Sequence, residues 1–382
     1  MKVTGIVAEY NPFHNGHKYM IDCVRGYGAT HVVAAMSGNF VQRGSVAIMD
    51  KRARARAALM NGVDLVVELP LPWAVSTAEL FARGGVSVLN ALGCVDTLAF
   101  GCETAESEKL LKTADAVCDI RVHDLIKKEL EGGINYAAAR ENAVLKFYGD
   151  EISSVLTKPN NILAVEYIKA MKRLGSDMDI YPVFRKGAGH DELKENGEFA
   201  SASALRILME RGDTAYRSFM PSATAEEFLN MKSVGRAPVC QDESERAILS
   251  RLRMLSIDDI KTAPYVSEGL ENRIYDAIKT ATSLEELYSI IKTKRYTHSR
   301  IRRIITSLYL GLKAEDTKGE IPYIRVIGFN ERGREILREA KEVAKLPVIM
   351  KTSQIAALSS DAKHVFELEC KATDLYNLAT PR

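Results

Sequence analysis

Short apolar runs alternate with helical periods along the first half of the chain. Five runs are bounded by glycine, proline or serine, a pattern typical of strands. They are Val3–Tyr10, Thr30–Met36, Val63–Leu69, Thr97–Phe100 and Asp179–Phe184. The stretches between them that have helical spacing include His17–Val24, Lys51–Met60, Thr77–Leu89 and Asn161–Arg173. This alternation predicts a Rossmann-like, doubly wound parallel α/β sheet, on which ligands bind at the carboxyl ends of the strands.

The pattern changes past about residue 222. Thr224–Leu312 has helical periodicity and few β-rich runs. Tyr323–Phe329 then predicts one more strand followed by a helix, and Leu346–Leu358 could add another strand and helix. We therefore predict a catalytic domain over residues 1–222, a mostly helical region over 223–318 and a small C-terminal α/β segment over 319–382.

The composition is that of an ordinary globular protein. The 382 residues carry 52 basic and 50 acidic side chains, a formal net charge of +2, and 46% of them are hydrophobic. At roughly 150 residues per domain, this length predicts two or three domains, and the hydrophobic content excludes wholesale disorder. Near-neutral charge excludes binding to nucleic acid by bulk attraction to phosphate. A nucleic-acid site would have to be a local patch.

The cysteines and the apolar stretches both favour a soluble cytoplasmic protein. The six cysteines show no C-x-x-C spacing and no histidine at zinc-finger spacing, which is typical of core residues in a reducing compartment. The N-terminus reaches Glu9 too early for the core of a signal peptide. The most apolar stretch, Val63–Phe81, contains Asp64 and Glu68, so we expect no membrane span.

The segment Asn11–His17 (NPFHNGH) has the most specific chemistry. It follows the first predicted strand and opens the first predicted helix, with Asn15 as the expected cap and Gly16 allowing a phosphate close to the backbone. The positive end of that helix favours an anion. His14 and His17 can point into one pocket, where each can donate a hydrogen bond to a pentacovalent phosphorus transition state. The alternative is that both are incidental surface histidines.

Four further segments, mostly at predicted strand ends, suit binding of a nucleotide or of its co-substrate. Gly101 can lie against an adenine or ribose, and Asn161 can read a base or ribose edge. Arg185–Asp191 (RKGAGHD) is a basic loop suited to phosphates. Each of these segments alone could be an ordinary turn or cap. Ser37–Gly44 follows the second strand, where a substrate-binding loop belongs, and its candidate residues are Ser37, Gly38, Asn39, Gln42 and Arg43.

Together these motifs resemble two nested families. The H-x-G-H segment is similar to the signature of the HIGH-type nucleotidyltransferases, which promote attack on the α-phosphate of a nucleoside triphosphate and expel pyrophosphate. Ser201–Arg206 (SASALR) resembles their second signature, whose serines and basic residue can hold the β- and γ-phosphates, although a plain serine cap with a solvated arginine is the alternative. Over essentially the whole chain, the segments that resemble the tRNA(Met) cytidine acetate ligase family are EYNPFHNGH, SGNFVQRG, DLVVELPLP, FGCE, KPNNILAVEY, RKGAGHD, SASALR and YTHSRIRR.

This resemblance implies a two-step reaction with ATP and acetate as co-substrates. We also expect Mg²⁺ beside the triphosphate, since Mg²⁺ commonly accompanies nucleotide phosphates. Acetate would attack the α-phosphate to give acetyl-adenylate, and the acetyl group would pass to the exocyclic amine of the wobble cytidine of elongator tRNA(Met), forming N4-acetylcytidine. His14 and His17 would be catalytic. The ATP-site residues, from the resemblance and the motifs together, are Val7, Ala8, Glu9, Tyr10, Asn11, Pro12, Phe13, His14, Asn15, Gly16, His17, Lys18, Tyr19, Met20, Gly101, Asn161, Arg185, Lys186, Ser201, Ser203 and Arg206.

The chain departs from the family pattern at two places. Ser45-Val46 stands where we expect a Glu-Pro pair, and the run Lys51–Arg56 is more basic than we expect. Both departures leave the local contacts to substrate open and do not affect the H-x-G-H segment.

A tRNA substrate would need a basic patch on this near-neutral protein. The run Lys292–Arg303 (KTKRYTHSRIRR) has six basic residues and no acidic one, and on a helix Ile301, Ile304, Ile305 and Leu308 would face the core. A solvated amphipathic face is the alternative. Lys51–Arg56 is a second candidate patch. The candidate tRNA contacts in the first patch are Arg295, Tyr296, His298, Arg302 and Arg303, with the aromatic rings available to stack.

Two other functions compete with the ligase. One is an adenylyl- or cytidylyltransferase that acts on a small metabolite without RNA, and the other is a catalytically idle RNA-binding protein. The basic helical region disfavours the first and the intact histidine pair disfavours the second. The sequence identifies neither a general base for the cytidine amine nor the oligomeric state.

Overall fold

The structure, a computed structural model, describes residues 1–186, 197–267, 269–293 and 296–381. Within these ranges, seven strands form one sheet in the order β7-β6-β1-β2-β5-β8-β9, and β3 and β4 form a separate hairpin. The strands are β1 Val3–Ala8, β2 His31–Ser37, β3 Phe40–Val41, β4 Ser45–Val46, β5 Leu65–Leu69, β6 Thr97–Cys102, β7 Asp179–Phe184, β8 Ile324–Phe329 and β9 Val348–Ile349.

The five strands predicted in the first half are confirmed, and they are parallel. β1 pairs with β2 on one side and with β6 on the other, and β6 pairs with β7. All seven residues of β2 are buried, as expected for a strand covered on both faces. Because the strand order turns back between β1 and β6, their carboxyl ends frame the crevice in which such sheets bind ligands.

Helices cover both faces of this sheet. α4 and α9 pack with the larger apolar cluster on one face, whereas α1 and α2 pack with another cluster on the opposite face. The helices as far as the second signature are α1 Asn15–Gly26, α2 Lys51–Met60, α3 Leu71–Ala74, α4 Ala78–Ala91, α5 Ser107–Cys118, α6 Ile120–Glu131, α7 Tyr136–Tyr148, α8 Asp150–Ser153, α9 Pro159–Leu174 and α10 Ala202–Arg211.

The region after residue 222 is helical, as predicted, and has its own apolar core. That core also takes in Phe40 and Val46 of the β3–β4 hairpin, so the helical region packs on the catalytic half. Its helices are α11 Ser222–Ser233, α12 Glu245–Arg253, α13 Ile257–Thr262, α14 Leu270–Thr280, α15 Leu284–Ile291 and α16 His298–Leu310.

The C-terminal segment completes the catalytic sheet and does not stand apart from it. β8 pairs antiparallel with β5, with Glu68 opposite Arg325, and β9 pairs parallel with β8. The helices here are α17 Glu331–Val343 and α18 Ser360–Asn377. The helix predicted to end near Leu358 is only a short 3-10 turn, Thr352–Ala357. None of the described helices is long and apolar enough to cross a membrane.

Candidate active site

A cavity of about 240 Å³ opens at the carboxyl ends of β1, β6 and β7. The start of α1 and the start of α10 close it from the other side. Eighteen of the residues singled out from the sequence line it: Val7, Ala8, Glu9, Tyr10, Asn11, His14, Gly16, His17, Tyr19, Met20, Gln42, Arg43, Gly101, Arg185, Lys186, Ser201, Ser203 and Arg206.

The two histidines stack on each other in this cavity. Their ring centroids are 3.8 Å apart, with 28° between the ring planes. Nδ1 of His14 accepts a hydrogen bond from the backbone N–H of Gly16 at 3.0 Å, and Nδ1 of His17 accepts one from the backbone N–H of His14 at 3.2 Å. Since each Nδ1 is an acceptor, the proton of each neutral ring lies on Nε2. Both rings can therefore donate from Nε2.

Burial keeps both rings neutral. Desolvation, followed by the charges of Arg185 and Arg206, lowers the pKa of His14 to about 3. Desolvation, then His14 and Arg185, lowers the pKa of His17 well below its ordinary value. The pair can therefore donate hydrogen bonds to a negatively charged transition state at neutral pH. Neither ring is an imidazolium at that pH, so neither acts as a general acid.

The cap of α1 differs from the predicted one. His14, not Asn15, is the N-cap, because its side chain accepts from the N–H of Gly16. A Cβ on Gly16 would lie 2.9 Å from Cε1 of His14, so the glycine makes room for the histidine ring itself. The Asn15 amide instead donates to the backbone carbonyls of Glu198 and Ser218, at 3.0 and 3.2 Å, and ties α1 to the segments around α10.

Cationic side chains surround the histidines. Arg206 donates to the carbonyl of Asn11 at 2.8 Å and to the hydroxyl of Ser203 at 3.0 Å. Arg185 lies 3.4 Å from Oδ1 of Asn160, and Lys186 lies over the ring of Tyr19. Burial lowers the pKa of both arginines from a very high ordinary value, and guanidinium stays charged at neutral pH. These charges suit the phosphates of a nucleotide.

The serines of the second signature combine two roles. Ser201 caps α10 by accepting a hydrogen bond from the N–H of Ala204 at 3.2 Å. A serine cap was the predicted alternative to phosphate binding at this residue. Ser203 accepts from Arg206, and both serines still line the cavity. Ser201 thus both caps α10 and lines the cavity.

Five predicted ATP-site residues stay out of the cavity lining. Asn161 is buried beneath it, where Oδ1 accepts from the N–H groups of Glu103 and Thr104, both at 2.9 Å, and Nδ2 donates to Thr104. Three hydrogen bonds of this amide are thus made within the fold, and Asn161 does not line the cavity. The others are Pro12 and Phe13, which are buried beside the turn, and Lys18, which pairs with Asp22 on the surface; Asn15 likewise faces the α10 side.

The sequence reasoning missed the apolar wall opposite the histidines and the polar neighbour Asn160. Asn160, not Asn161, reaches the cavity, one position earlier on α9. Strand ends are the signal that would have found part of the wall, since Phe100, Val183 and Phe184 flank Gly101 and Arg185. The newly placed lining residues are Ile6, Phe81, Phe100, Asn160, Leu163, Tyr167, Val183, Phe184, Phe199, Ala200 and Ala202.

The predicted substrate loop is only half in the cavity. Gln42 and Arg43 line it, and the N–H of Gln42 donates to Oε1 of Glu9 at 2.8 Å. Ser37, Gly38 and Asn39 lie deeper. The carbonyls of Ser37 and Gly38 accept from Arg54, and Oδ1 of Asn39 accepts from the N–H of Lys51 at 2.8 Å.

The helix α16 presents part of the predicted tRNA patch. His298 and Arg302 are exposed, and Ile301, Ile304, Ile305 and Leu308 are buried as predicted. Arg303 is mostly buried against Tyr265, and burial lowers its pKa. Tyr296 is buried as well, so its ring cannot stack on RNA, contrary to the prediction. Arg295 lies outside the described residues.

α16 also reaches the catalytic half. The hydroxyl of Thr306 donates to the carbonyl of Gly44 at 2.8 Å. A Cβ on Gly44, which has φ +72°, would lie 2.7 Å from the backbone of Arg302 and Arg303. The helix is therefore packed directly on the turn that follows Arg43, at the rim of the cavity.

Only part of the second predicted basic patch is on the surface. Arg54 is fully buried and donates to the carbonyls of Met49, Glu9, Ser37 and Gly38. Lys51 is buried in an ion pair with Glu68. The basic run therefore braces the backbone under the cavity, and Arg52 and Arg56 are its exposed members.

Comparisons with known proteins agree with this geometry. The family model described as HIGH Nucleotidyl Transferase matches residues 1–382. The protein named tRNA(Met) cytidine acetate ligase from Thermoanaerobacter sp. (strain X514) is 42% identical over 99% of this chain and 96% of its own. The protein of that name from Acetivibrio thermocellus is 38% identical over 98% and 94%.

Two solved structures of Thermotoga maritima TmcAL resemble the whole chain. The apo form has a TM-score of 0.96 at 33% identity and covers 100% of this chain and 96% of its own. The form bound with alpha-thio ATP has a TM-score of 0.94 at 34% identity and covers 100% and 95%.

Proposed function

Because this chain belongs to the HIGH nucleotidyl transferase family and, within it, to the tRNA(Met) cytidine acetate ligases, we propose that it is an ATP-dependent ligase that acetylates tRNA. It activates acetate as acetyl-adenylate, releases pyrophosphate and transfers the acetyl group to the exocyclic amine of the wobble cytidine of elongator tRNA(Met). The observation that carries the proposal is the pair of buried, neutral histidines, each with its Nε2–H available, in a cavity lined with cations.

The first step fits the geometry of the histidine pair. A carboxylate oxygen of acetate attacks the α-phosphorus, and the bond to the bridging oxygen of pyrophosphate breaks. Negative charge on the phosphoryl oxygens meets the Nε2–H donors of His14 and His17, which lie side by side at the start of α1. Donors fixed by the backbone need no reorganisation during the reaction.

The rest of the cavity suits ATP. Arg185, Lys186 and Arg206 supply charge for the phosphates. The apolar wall, including Phe100, Leu163 and Tyr167, offers a surface for the adenine, and the absence of a side chain at Gly101 leaves room there. The TmcAL structure bound with alpha-thio ATP, at TM-score 0.94, supports this use of the cavity.

The second step needs positioning more than acid–base chemistry. The cytidine amine attacks the acetyl carbon, the bond between that carbon and the phosphate oxygen breaks, AMP leaves, and the amine loses a proton. An acyl-adenylate is a strongly activated donor, so holding the amine in line supplies much of the rate.

The RNA would approach along α16. This helix contacts Gly44, next to Arg43 of the cavity rim, and exposes His298 and Arg302 on its surface. A local cationic surface of this kind can hold phosphates on a protein whose net charge is only +2.

The described residues offer no metal cage. No group of three or more His, Cys, Asp or Glu side chains among them could hold a metal ion, and Glu9 is the single carboxylate that they bring to the cavity. The residues present therefore do not fit a dedicated Mg²⁺ site, and no step above depends on one. A Mg²⁺ ion that arrives with the triphosphate remains a prediction.

Two linked assays test the proposal. The first is exchange of labelled pyrophosphate into ATP with and without acetate, and the second is transfer of labelled acetate to elongator tRNA(Met). We expect exchange only with acetate, and transfer only to that tRNA. Exchange without acetate would contradict the ligase and favour a nucleotidyltransferase for small metabolites. Acetate-dependent exchange without transfer would contradict only the RNA half.

A further inference from the structure

A second cavity of about 240 Å³ lies beside α2, away from the nucleotide cavity. One wall is α2, with Lys51, Arg52 and Arg56, and the other is the C-terminal segment, with Arg325 and Lys351. Glu68 of β5 forms part of its floor. Residues from two parts of the chain almost 300 positions apart thus bring five cations around one cavity.

Three of these cations are neutralised within the fold. Lys51 pairs with Glu68, and Arg325 lies 3.2 Å from Glu68 and 2.9 Å from Glu369. Arg56 pairs with Glu227 at 2.6 Å.

The other two cations are exposed. Arg52 and Lys351 form no ion pair with any residue that the structure describes, and they lie on opposite walls. The first N–H groups of α2 are already capped by Asp50, so an anion here would be held by side chains. A cavity with a neutralised floor and two free cations at its rim suits a phosphate group.

One loop connects this cavity to both surfaces described above. At its start, a Cβ on Gly38 would lie 2.7 Å from Oε1 of Glu68 on the floor of the second cavity. Gln42 and Arg43 then line the nucleotide cavity, and Gly44 contacts α16. The second cavity, the nucleotide cavity and α16 therefore all contact the same short segment, residues 38–44.

We infer that the second cavity binds a backbone phosphate of the RNA substrate through Arg52 and Lys351. The inference rests on the proposed function, since it names a further contact of the same RNA. It favours RNA over a free phosphate because residues 38–44 of one loop contact Glu68 of the second cavity, the nucleotide cavity and α16. A near-neutral protein also gains affinity for a long polyanion only by adding separate contacts.

The test is the double charge reversal Arg52→Glu/Lys351→Glu. We expect the affinity for elongator tRNA(Met) to fall at least about tenfold at physiological salt, because two phosphate contacts are lost. The slope of log affinity against log salt should become shallower by about 1.5 to 2. Acetate-dependent pyrophosphate exchange without RNA should be unchanged.

The matched control is Arg332→Glu/Arg338→Glu, which changes the net charge equally on exposed positions of α17, against the opposite face of the sheet. It should change the tRNA affinity by less than about threefold. Equal losses of affinity in both double variants would overturn the inference in favour of bulk charge. Wild-type affinity in Arg52→Glu/Lys351→Glu would overturn it as well, because neither side chain would then contact the RNA.

Inorganic phosphate distinguishes the other source of the same chemistry. If it raises the melting temperature of the wild type but not of Arg52→Glu/Lys351→Glu, while tRNA affinity is unchanged, the site holds free phosphate and the RNA contact is wrong. Loss of tRNA affinity in a protein whose exchange ignores acetate would contradict the proposed ligase but retain the phosphate contact.

Discussion

Two imidazoles in one turn are kept neutral at pH 7 by burial, and their own backbone fixes their orientation. Each Nδ1 accepts a backbone N–H, and burial with nearby arginines lowers the pKa of His14 to about 3. A charged imidazolium would attract the triphosphate more strongly but would lose the Nδ1 acceptor that fixes each ring. The site therefore uses arginine and lysine for charge and histidine for direction.

Removal of either ring should affect chemistry more than binding. We expect His14→Ala and His17→Ala each to lower the rate of acetate-dependent pyrophosphate exchange by about 10²- to 10³-fold, because one transition-state donor is lost. tRNA affinity should stay within about twofold. His123→Ala, at an exposed position on α6, is the control and should leave exchange unchanged. Exchange at the wild-type rate in both variants would show that the pair is not catalytic.

Gly16 offers a finer test of the same turn. In Gly16→Ala the new methyl group would lie 2.9 Å from Cε1 of His14, so the ring must shift. We expect exchange to fall about tenfold or more, although alanine favours a helix over glycine by about 1 kcal/mol. The control is Gly26→Ala at the other end of α1, where nothing lies within 4 Å of the new Cβ. Equal activity in the two variants would contradict the steric role.

The residue types of this site were predictable, but their exact roles were not. Eighteen singled-out residues line the cavity because strand ends and helix starts converge at one edge of a parallel sheet. Which of two adjacent residues faces the cavity depends on the rotation of a helix. Asn160 therefore lines the cavity where Asn161 was predicted to do so. The burial of Arg54 could not be predicted either, since a basic run has the same sequence whether its side chains bind water or backbone carbonyls.

At the scale of elements, α16 packs on the β3–β4 hairpin, and we expect this contact to couple RNA binding to the nucleotide cavity. The periodicity of α16 predicted its buried face correctly, and that face packs into the apolar core of the helical region. The sequence does not show what the helix docks against, because Gly44 and Arg302 are far apart in the chain. Periodicity describes one element, whereas docking depends on two.

Gly44→Ala tests this contact against Gly311→Ala. Both glycines have positive φ, +72° and +75°, so both substitutions carry a backbone strain of about 1–2 kcal/mol. At Gly44 alone the added Cβ would meet the backbone of Arg302 and Arg303 at 2.7 Å. We expect Gly44→Ala to lose acetyl transfer to tRNA at least about fivefold more than it loses exchange. If the ratio of transfer to exchange is the same in both variants, α16 does not connect the steps.

At the scale of the whole molecule, a buried ionic cluster joins the catalytic sheet to the C-terminal helix. Lys51, Glu68, Arg325 and Glu369 come from α2, β5, β8 and α18. The net charge of +2 reveals nothing of this arrangement, since two cations and two carboxylates cancel in the count. Burial and then the proximity of Glu68 raise the pKa of Glu369 to about 7.

This shift predicts a pH-dependent stability. The folded protein holds a proton on Glu369 that the unfolded chain releases above about pH 4.5, so the free energy of unfolding falls as the pH rises from about 4.5 to about 7. In Glu369→Gln that fall should be smaller by up to about 3 kcal/mol, at about 1.4 kcal/mol per pKa unit. Urea denaturation at pH 5 and pH 7.5 measures it, with the exposed Glu367→Gln as control. An identical fall in both variants would contradict the shift.

The pairing of β5 with β8 also constrains how the protein is made. Arg325, the partner of Glu68, is synthesised about 250 residues after it. At roughly 5–20 residues per second, the edge of β5 waits on the order of 10–50 s for its partner during synthesis. A nascent chain that already contains the histidine turn and α16 still has an open sheet edge, the kind of surface that pairs with a neighbouring chain. A stop codon before β8 should therefore yield aggregates that chaperones retain, not a smaller nucleotide-binding protein.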